Sequence, residues 1–435
     1  MRRYLLVSLL IGFAVSAVVV SLAKFGAFGH FGAALAGLYT SAGFLPATTD
    51  AASVVHPLEI ALTVFAAFAA AWCVIDIPQS GHKVLVFLVL MLVIIGLSPT
   101  LALYGVLFEP FPAMSAAILA TTAALVYSGT EHGMRKRVLI QVLGSRVSPG
   151  TFDGLMNDPA PIRFTGANRV VTVLTCRVFN HAELRERMEP GELVAMGNLF
   201  LRNTADFLMS RGAYLDESGP DMVRVFFGML RPEENHADQA CRVALELRTR
   251  LRNLNDECEN RWFQRLDYGV AISSGPMTVG IYGSPRHFYF SGIGGDSDFA
   301  RRLAQANSRY GSDILISSRC HQLVKDAVEV RPMEMIYDPG RNLMSEVYQL
   351  LALSADFSDE DKARRDAFWQ GVILYRSGRF DEALARFNEA TPPGGGDGPL
   401  KFFTDRCQAR LTGESRPEGT HEITDNGHAR LLNMM

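Results

Sequence analysis

Over the first 130 positions the apolar residues form long, nearly unbroken runs; after that they recur at the shorter periods of strands and amphipathic helices. The runs are Tyr4 to Ala23, Pro57 to Ile75, Val84 to about Tyr104 and Ala113 to Tyr127. Most approach the ~20 residues a helix needs to cross a hydrocarbon core, which predicts a transmembrane region of about four helices over residues 1–130. Arg2 and Arg3 precede the first run, yet no clear small-residue cleavage site follows, so the run reads as a retained anchor. With four spans Arg2, Arg3, Lys83 and the cluster Arg135, Lys136, Arg137 share one side. Basic residues favour cytoplasmic loops, so the expectation is a multi-pass inner-membrane protein with both termini cytoplasmic. A three-span arrangement, with a re-entrant piece between Pro99 and Pro112, would put the Arg135 cluster outside. The outside loop from about Lys24 to His56, rich in Gly and Ala, is expected to be too small for a sensor domain. His56 and Asp76 at span edges read as residues reaching interfacial water, in preference to a proton relay.

Beyond the runs, Glu131 to Gly144 is predicted to continue as a helix, and Ser148-Pro149-Gly150 to form a turn within a linker over residues 131–165. The β-branched run Arg169 to Cys176 is too apolar for a surface strand and belongs mid-sheet. Pro190 to Arg211 has a helical stripe behind Glu192, and Tyr214 to Gly228 reads as a hairpin with Asp221 at its tip. A helix from Ala237 to Leu254 follows. Next come strands Leu266 to Ser273 and Met277 to Ile281, a loop around His287, a helix near Asp298 to Ser308, and a strand Asp313 to Ser317. That alternation predicts an α+β, ferredoxin-like domain over residues 166–352.

Charge and cysteine content narrow the functional classes. Forty-two Lys plus Arg against 45 Asp plus Glu, a net charge of −3, make no basic field, so nucleic acid is not an expected partner. Six cysteines lie scattered without paired spacing, which argues against a zinc site or a disulfide framework.

The ordered motifs of the second half resemble the class III adenylate/guanylate cyclase domain. Val171-Thr-Val-Leu174 is similar to its first strand, and Gly212 to Gly228 matches its G-G-x-x-x-K/E-x-x-G-D-x-x-x-x-x-F-G hairpin without a gap at Gly212, Glu217, Asp221, Phe227 and Gly228. Gly269 to Gly275 and Val279 to Ser284 resemble its next pair of strands. Asp298-Phe-Ala300-Arg-Arg302-Leu303 resembles N-x-A-x-R-L, and Gly311 to Ser317 resembles G-x-x-I-L-I-S. The lead-in Val142 to Pro149 resembles the segment that joins membrane helices to such a domain.

The resemblance implies a reaction, in which a ribose 3′-hydroxyl attacks the α-phosphate and pyrophosphate leaves, helped by two Mg²⁺ or Mn²⁺ ions between paired subunits. The family's two metal aspartates fall on Arg177 and Asp221, so one ligand is replaced by a cation that repels metal and attracts triphosphate. The phosphate turn, normally small, reads Val178-Phe-Asn-His181. Base recognition falls on Glu217 and Ser291, with Glu217 leaning towards guanine, and the transition-state Asn and Arg fall on Asp298 and Arg302. Structural readings stand beside these: Asp221 as a turn acceptor, Arg302 as a solvated helix residue and Glu217 as a surface strand residue. Gly294-Gly295-Asp296-Ser-Asp-Phe299 resembles the diguanylate cyclase GG(D/E)EF signature, but a helical sequence follows where a strand is needed.

Phe368 to Ala390 has the spacing of one tetratricopeptide-type hairpin, within a segment over residues 360–412 expected to cap the domain or a dimer partner. Residues 413–435 read as a disordered tail. The expected function is a membrane-anchored, dimeric, degenerate cyclase in intracellular signalling. The alternative is a working cyclase for ATP or GTP, alone or with a heteromeric partner. Expected partners are a purine nucleoside triphosphate, a second cyclase domain, the same or different, and membrane lipid.

Overall fold

The computed structural model describes residues 2–44, 56–77, 80–104, 106–129, 139–157, 166–231, 233–284, 287–338, 343–413, 420–423 and 429–432. The chain divides into two compact units, residues 1–141 with 153–159, and residues 142–152 with 160–435.

The first unit contains α1 (Arg2–Lys24), α2 (Gly29–Ser41), α3 (His56–Asp76), α4 (Ser80–Ala102) and α5 (Pro110–Gly129). Four of these, over Leu5–Lys24, Pro57–Asp76, Gly81–Ala102 and Pro110–Ser128, are long and apolar enough to cross a membrane. Pro99 lies inside α4, and Pro112 lies in the first turn of α5. Small residues let these helices approach: Ala66, Ala67, Ala70 and Ala71 of α3 are buried with Ala113, Ala116, Ala117, Ala120 and Ala124 of α5. Within the described part of the Lys24 to His56 loop, α2 is tied to α4. Tyr39 Oη donates to Ser98 Oγ at 3.0 Å, and Ser98 Oγ donates to the Phe108 carbonyl at 2.8 Å. The Arg135 to Arg137 cluster lies outside the described residues.

Ser148-Pro149-Gly150 starts a helix instead of making a simple turn. Proline suits the first helical position, and Ser148 Oγ accepts the Thr151 N–H at 3.2 Å, opening α6 (Pro149–Asn157).

The second unit is built on β1 (Ala167–Val178), β2 (Tyr214–Ser218), β3 (Met222–Phe227), β4 (Tyr268–Ser284), β5 (His287–Ile293), β6 (Ile314–Ser317), β7 (Val328–Asp338) and β8 (Leu343–Leu353). Two short tail strands follow, β9 (Thr420–Ile423) and β10 (Ala429–Leu432), where the sequence read as unstructured. The helices between β1 and β8 are α7 (His181–Arg187), α8 (Pro190–Leu201), α9 (Phe207–Ser210), α10 (His236–Trp262), α11 (Gly295–Tyr310) and α12 (Ser318–Val324). A π turn, Arg202–Asp206, links α8 to α9. Strand order is β10-β9-β7-β8-β6-β4-β1-β3-β2, with β5 on β4. The run β4-β1-β3-β2, with helices after β1 and after β3, is the ferredoxin-like arrangement the alternation predicted.

Two expectations near β4 fail. It is one strand of 17 residues where two were expected, and the His287 region is strand β5, antiparallel to it. Gly275 and Pro276 sit where β4 still pairs with β1, so punctuation residues within a ladder were misread as a break.

Alternation along the strands divides the core. Val270, Ile272, Ile314 and Ile316 face α8 to α10 and α12 on one side. Ala271 and Leu315 face α11 and three further helices on the other: α13 (Asp359–Arg376), α14 (Phe380–Glu389) and α15 (Gly398–Leu411). The C-terminal segment is thus a three-helix layer on the sheet, its Phe368, Phe387 and Phe403 packed with Leu303, Met333 and Val347. Arg331 of β7 pins it, donating to both Asp397 oxygens at 2.7 Å.

Candidate nucleotide site

β1 and β3 bring the two proposed metal positions together. Their register sets Arg177 opposite Met222, and the Val178 N–H donates to the Asp221 carbonyl at 2.8 Å. Leu174, Cys176 and Val178 belong to the core with α8 to α10, so the period-2 pleat turns Arg177 to the other face. Arg177 and Asp221 are both half-buried. Among the described residues no group of three or more His, Cys, Asp or Glu side chains is placed to hold a metal ion. A guanidinium at one position and a carboxylate at the other do not fit a pair of divalent ions.

The turn after β1 is closed from within. The Phe179 N–H donates to the Asp267 carbonyl at 2.7 Å, while Asn180 donates to the Arg265 carbonyl at 2.8 Å and accepts the Asp267 N–H at 3.0 Å. Gly269 makes room for the Phe179 ring, since a Cβ there would stand 2.6 Å from Cζ. Backbone N–H groups can cradle phosphate only where they are unspent, and that of Phe179 is spent.

Glu217 and Ser291, the positions where the resemblance implies base recognition, belong to one network. Ser291 is buried, and its Oγ donates to Asp216 Oδ1 at 2.5 Å. Asp216 Oδ2 accepts from Arg224 Nε at 2.9 Å and from its Nη2 at 2.7 Å. Arg224 Nη2 also reaches Glu217 Oε2 at 3.1 Å. Ser291 therefore enters any base contact with its proton engaged, and Glu217 is exposed and held by a cation. Asp216 and Arg224 were missed as site residues; strand parity with buried Tyr214 could have exposed Asp216 as an inward acid.

Asp298 and Arg302 stand one turn apart on α11, with Asp298 exposed and Arg302 half-buried. The helix is fixed by Asp296, whose Oδ1 accepts Ser273 Oγ at 2.7 Å across Gly275, where a Cβ would overlap the carboxylate. That buried acid belongs to packing, and the helix beyond it confirms that the Gly294 to Phe299 signature is not a strand-flanked hairpin.

The fold and the ordered positions define a domain similar to class III adenylate/guanylate cyclases. Adenylate cyclase 1 of Rhizobium meliloti (strain 1021) is 23% identical over 183 residues, 42% of this chain and 28% of that protein. The adenylate cyclase of Anabaena cylindrica is 24% identical over 155 residues, 35% of this chain and 30% of that protein. The chain thus spans less than a third of either relative's length. Among solved structures, the adenylyl cyclase CyaB from P. aeruginosa aligns at 24% identity and a TM-score of 0.41, covering 44% of this chain and 99% of that one. No family profile matches the chain.

Proposed function

We propose that this is a membrane-anchored signalling protein of the class III cyclase type. In this reading the four apolar helices lie in the inner membrane and the second unit in the cytoplasm, where it acts as a dimer with itself or with another cyclase domain. Its own site is degenerate: it holds a purine nucleoside triphosphate without efficient turnover, and the liganded domain regulates a partner. Arg177 carries the reading. At the end of β1, opposite Met222 and next to Val178, whose N–H bonds the Asp221 carbonyl, it sets a cation where the resemblance calls for a second metal carboxylate. A guanidinium attracts the triphosphate oxygens but cannot ligate Mg²⁺ or Mn²⁺.

The retained Asp221 and Arg302 favour a second reading, a cyclase completed by a heteromeric partner that supplies the missing carboxylate. Incubation of the full chain with ATP or GTP and Mg²⁺ or Mn²⁺, beside an Asp221→Ala control, tests the first. Nucleotide binding without cyclic product supports it. Cyclic product that disappears in the control would sink it.

A further inference from the structure

Among the described residues strand β2 is the last strand of the sheet, with β3 as its one strand neighbour. It also carries a bulge. Leu215 pairs with Val225 and Glu217 with Arg224, so Asp216 is the extra residue, and bulges leave ladder groups unpaired. An edge strand with a bulge just before a candidate base-reading residue is poorly held by its own ladder.

The segment 142–152 supplies what the ladder lacks. Arg146 Nη1 donates to the Leu215 carbonyl at 3.3 Å and to the Asp216 carbonyl, and the Leu215 N–H returns a bond to the Arg146 carbonyl at 2.8 Å. The guanidinium also lies 5.8 Å from the ring centroid of Tyr289 on β5. The guanidinium bridges the two carbonyls through Nη1 while its plane lies near the ring, a fixed geometry that the point-like ammonium of a lysine on its flexible stem reproduces only in part. The bulge so held presents Asp216, which binds Ser291, and Glu217, which shares Arg224 with it. Both base-recognition positions therefore depend on one clamped turn of backbone, and the clamp comes from the segment that follows the last apolar helix in the sequence.

We propose that Arg146 is a positioning residue for nucleobase selection, holding the Asp216 bulge so that Glu217 and Ser291 meet the edge of a purine together. This rests on the reading that the domain binds a purine nucleoside triphosphate. Movement of the connector that withdraws Arg146 would then alter which base is preferred and leave phosphate attraction by Arg177 in place.

The test uses the full chain in lipid nanodiscs as wild type, Arg146→Lys and Arg146→Ala. Hydrogen exchange is followed over Tyr214–Ser218 and, for comparison, over β1, and the affinities for GTP and ATP are measured by competition against a fluorescent GTP. Loss of charged hydrogen bonds predicts exchange in β2 faster by roughly tenfold or more in both variants, with β1 unchanged. The ratio of GTP to ATP affinity should move by about threefold or more in both, a change that general loosening, which weakens both nucleotides alike, would not produce. If Arg146→Ala exchanges faster throughout, the lysine variant decides. Unchanged exchange in β2 overturns the clamp whatever the nucleotide does. Faster exchange with an unchanged ratio overturns the positioning role while leaving nucleotide binding standing. A wild type that binds neither nucleotide overturns the parent reading, and base selection with it.

Discussion

Replacing Arg331 with methionine should loosen the C-terminal helices from the sheet. The Arg331 side chain is 9% exposed and that of Asp397 18%. Besides the two bonds to Asp397, Arg331 Nε donates to Gln349 at 2.7 Å and the guanidinium lies 4.4 Å from the Phe368 ring centroid. Methionine keeps the stem's packing but leaves Asp397 with the Leu400 N–H, at 3.0 Å, as its remaining hydrogen-bond donor. Removing one partner of a buried pair costs about 3–5 kcal/mol. At about 2–4 °C per kcal/mol for a domain of this size, Tm should fall by on the order of 10 °C. Arg331→Met/Asp397→Leu removes both charges and should recover most of the loss, short by the ~1 kcal/mol of a lost helix cap. Thermal unfolding of the purified full chain in detergent, followed by near-ultraviolet circular dichroism, reads both variants. A single variant within about 1 kcal/mol of wild type, or a double variant no better than the single, would refute the pinning role.

Acid adds a check on the same pair. Burial pushes the Asp397 carboxyl up, but the Arg331 hydrogen bonds and charge outweigh it and hold it below the usual range. The pair's contribution is then full above ~3.9 and is lost as pH falls from there towards the folded value, so the stability gap between wild type and Arg331→Met should narrow as pH drops below ~3.9. His236, buried and bonded through Nδ1 to Thr172 Oγ1 at 2.6 Å, has its pKa lowered by burial. The unfolded chain takes that proton first, so stability should decline as pH drops below ~6.5, and His236→Gln should flatten the decline in a Tm-versus-pH series. Gly398→Ala should destabilise by about 1–3 kcal/mol in urea unfolding, because its Cβ would overlap the Gly311 backbone, which cannot swing aside as a side chain would. Ser291→Ala should cost about 1 kcal/mol in the same assay by removing a donor from buried Asp216.

Periodicity made much of this architecture legible. The β-branched run became the central strand β1, the Gly212 to Gly228 match became the β2–β3 hairpin, and the four apolar runs became four separate helices. Misreadings clustered where local chemistry and tertiary context disagree. Ser148-Pro149-Gly150 has turn composition, yet the same serine and proline serve the start of a helix. Gly275 resembles a break but is demanded by the Asp296 carboxylate above it. Linear order was enough to name the candidate residues and their charge changes, a reversal at Arg177 and a gained negative charge at Asp298. It could not give the Asp216 bulge or the Arg146 clamp, because a bulge is a property of two strands and the clamp joins residues about 70 positions apart. The spacing over Phe368 to Ala390 likewise reached only α13 and α14: α15 packs with them as a third helix, and the Arg331 contact to Asp397 at its start comes from far away in sequence.

The central claim, that Arg177 has dismantled a two-metal site, is tested most directly by counting Mn²⁺ bound per domain by electron paramagnetic resonance. The full chain would be titrated with Mn²⁺ in the presence of a non-hydrolysable GTP analogue, beside Arg177→Asp. The account predicts no spin-coupled Mn²⁺ pair in the wild type and a gain of bound Mn²⁺ when the carboxylate is restored. A coupled pair on the wild-type domain, weakened by Asp221→Ala, would contradict it.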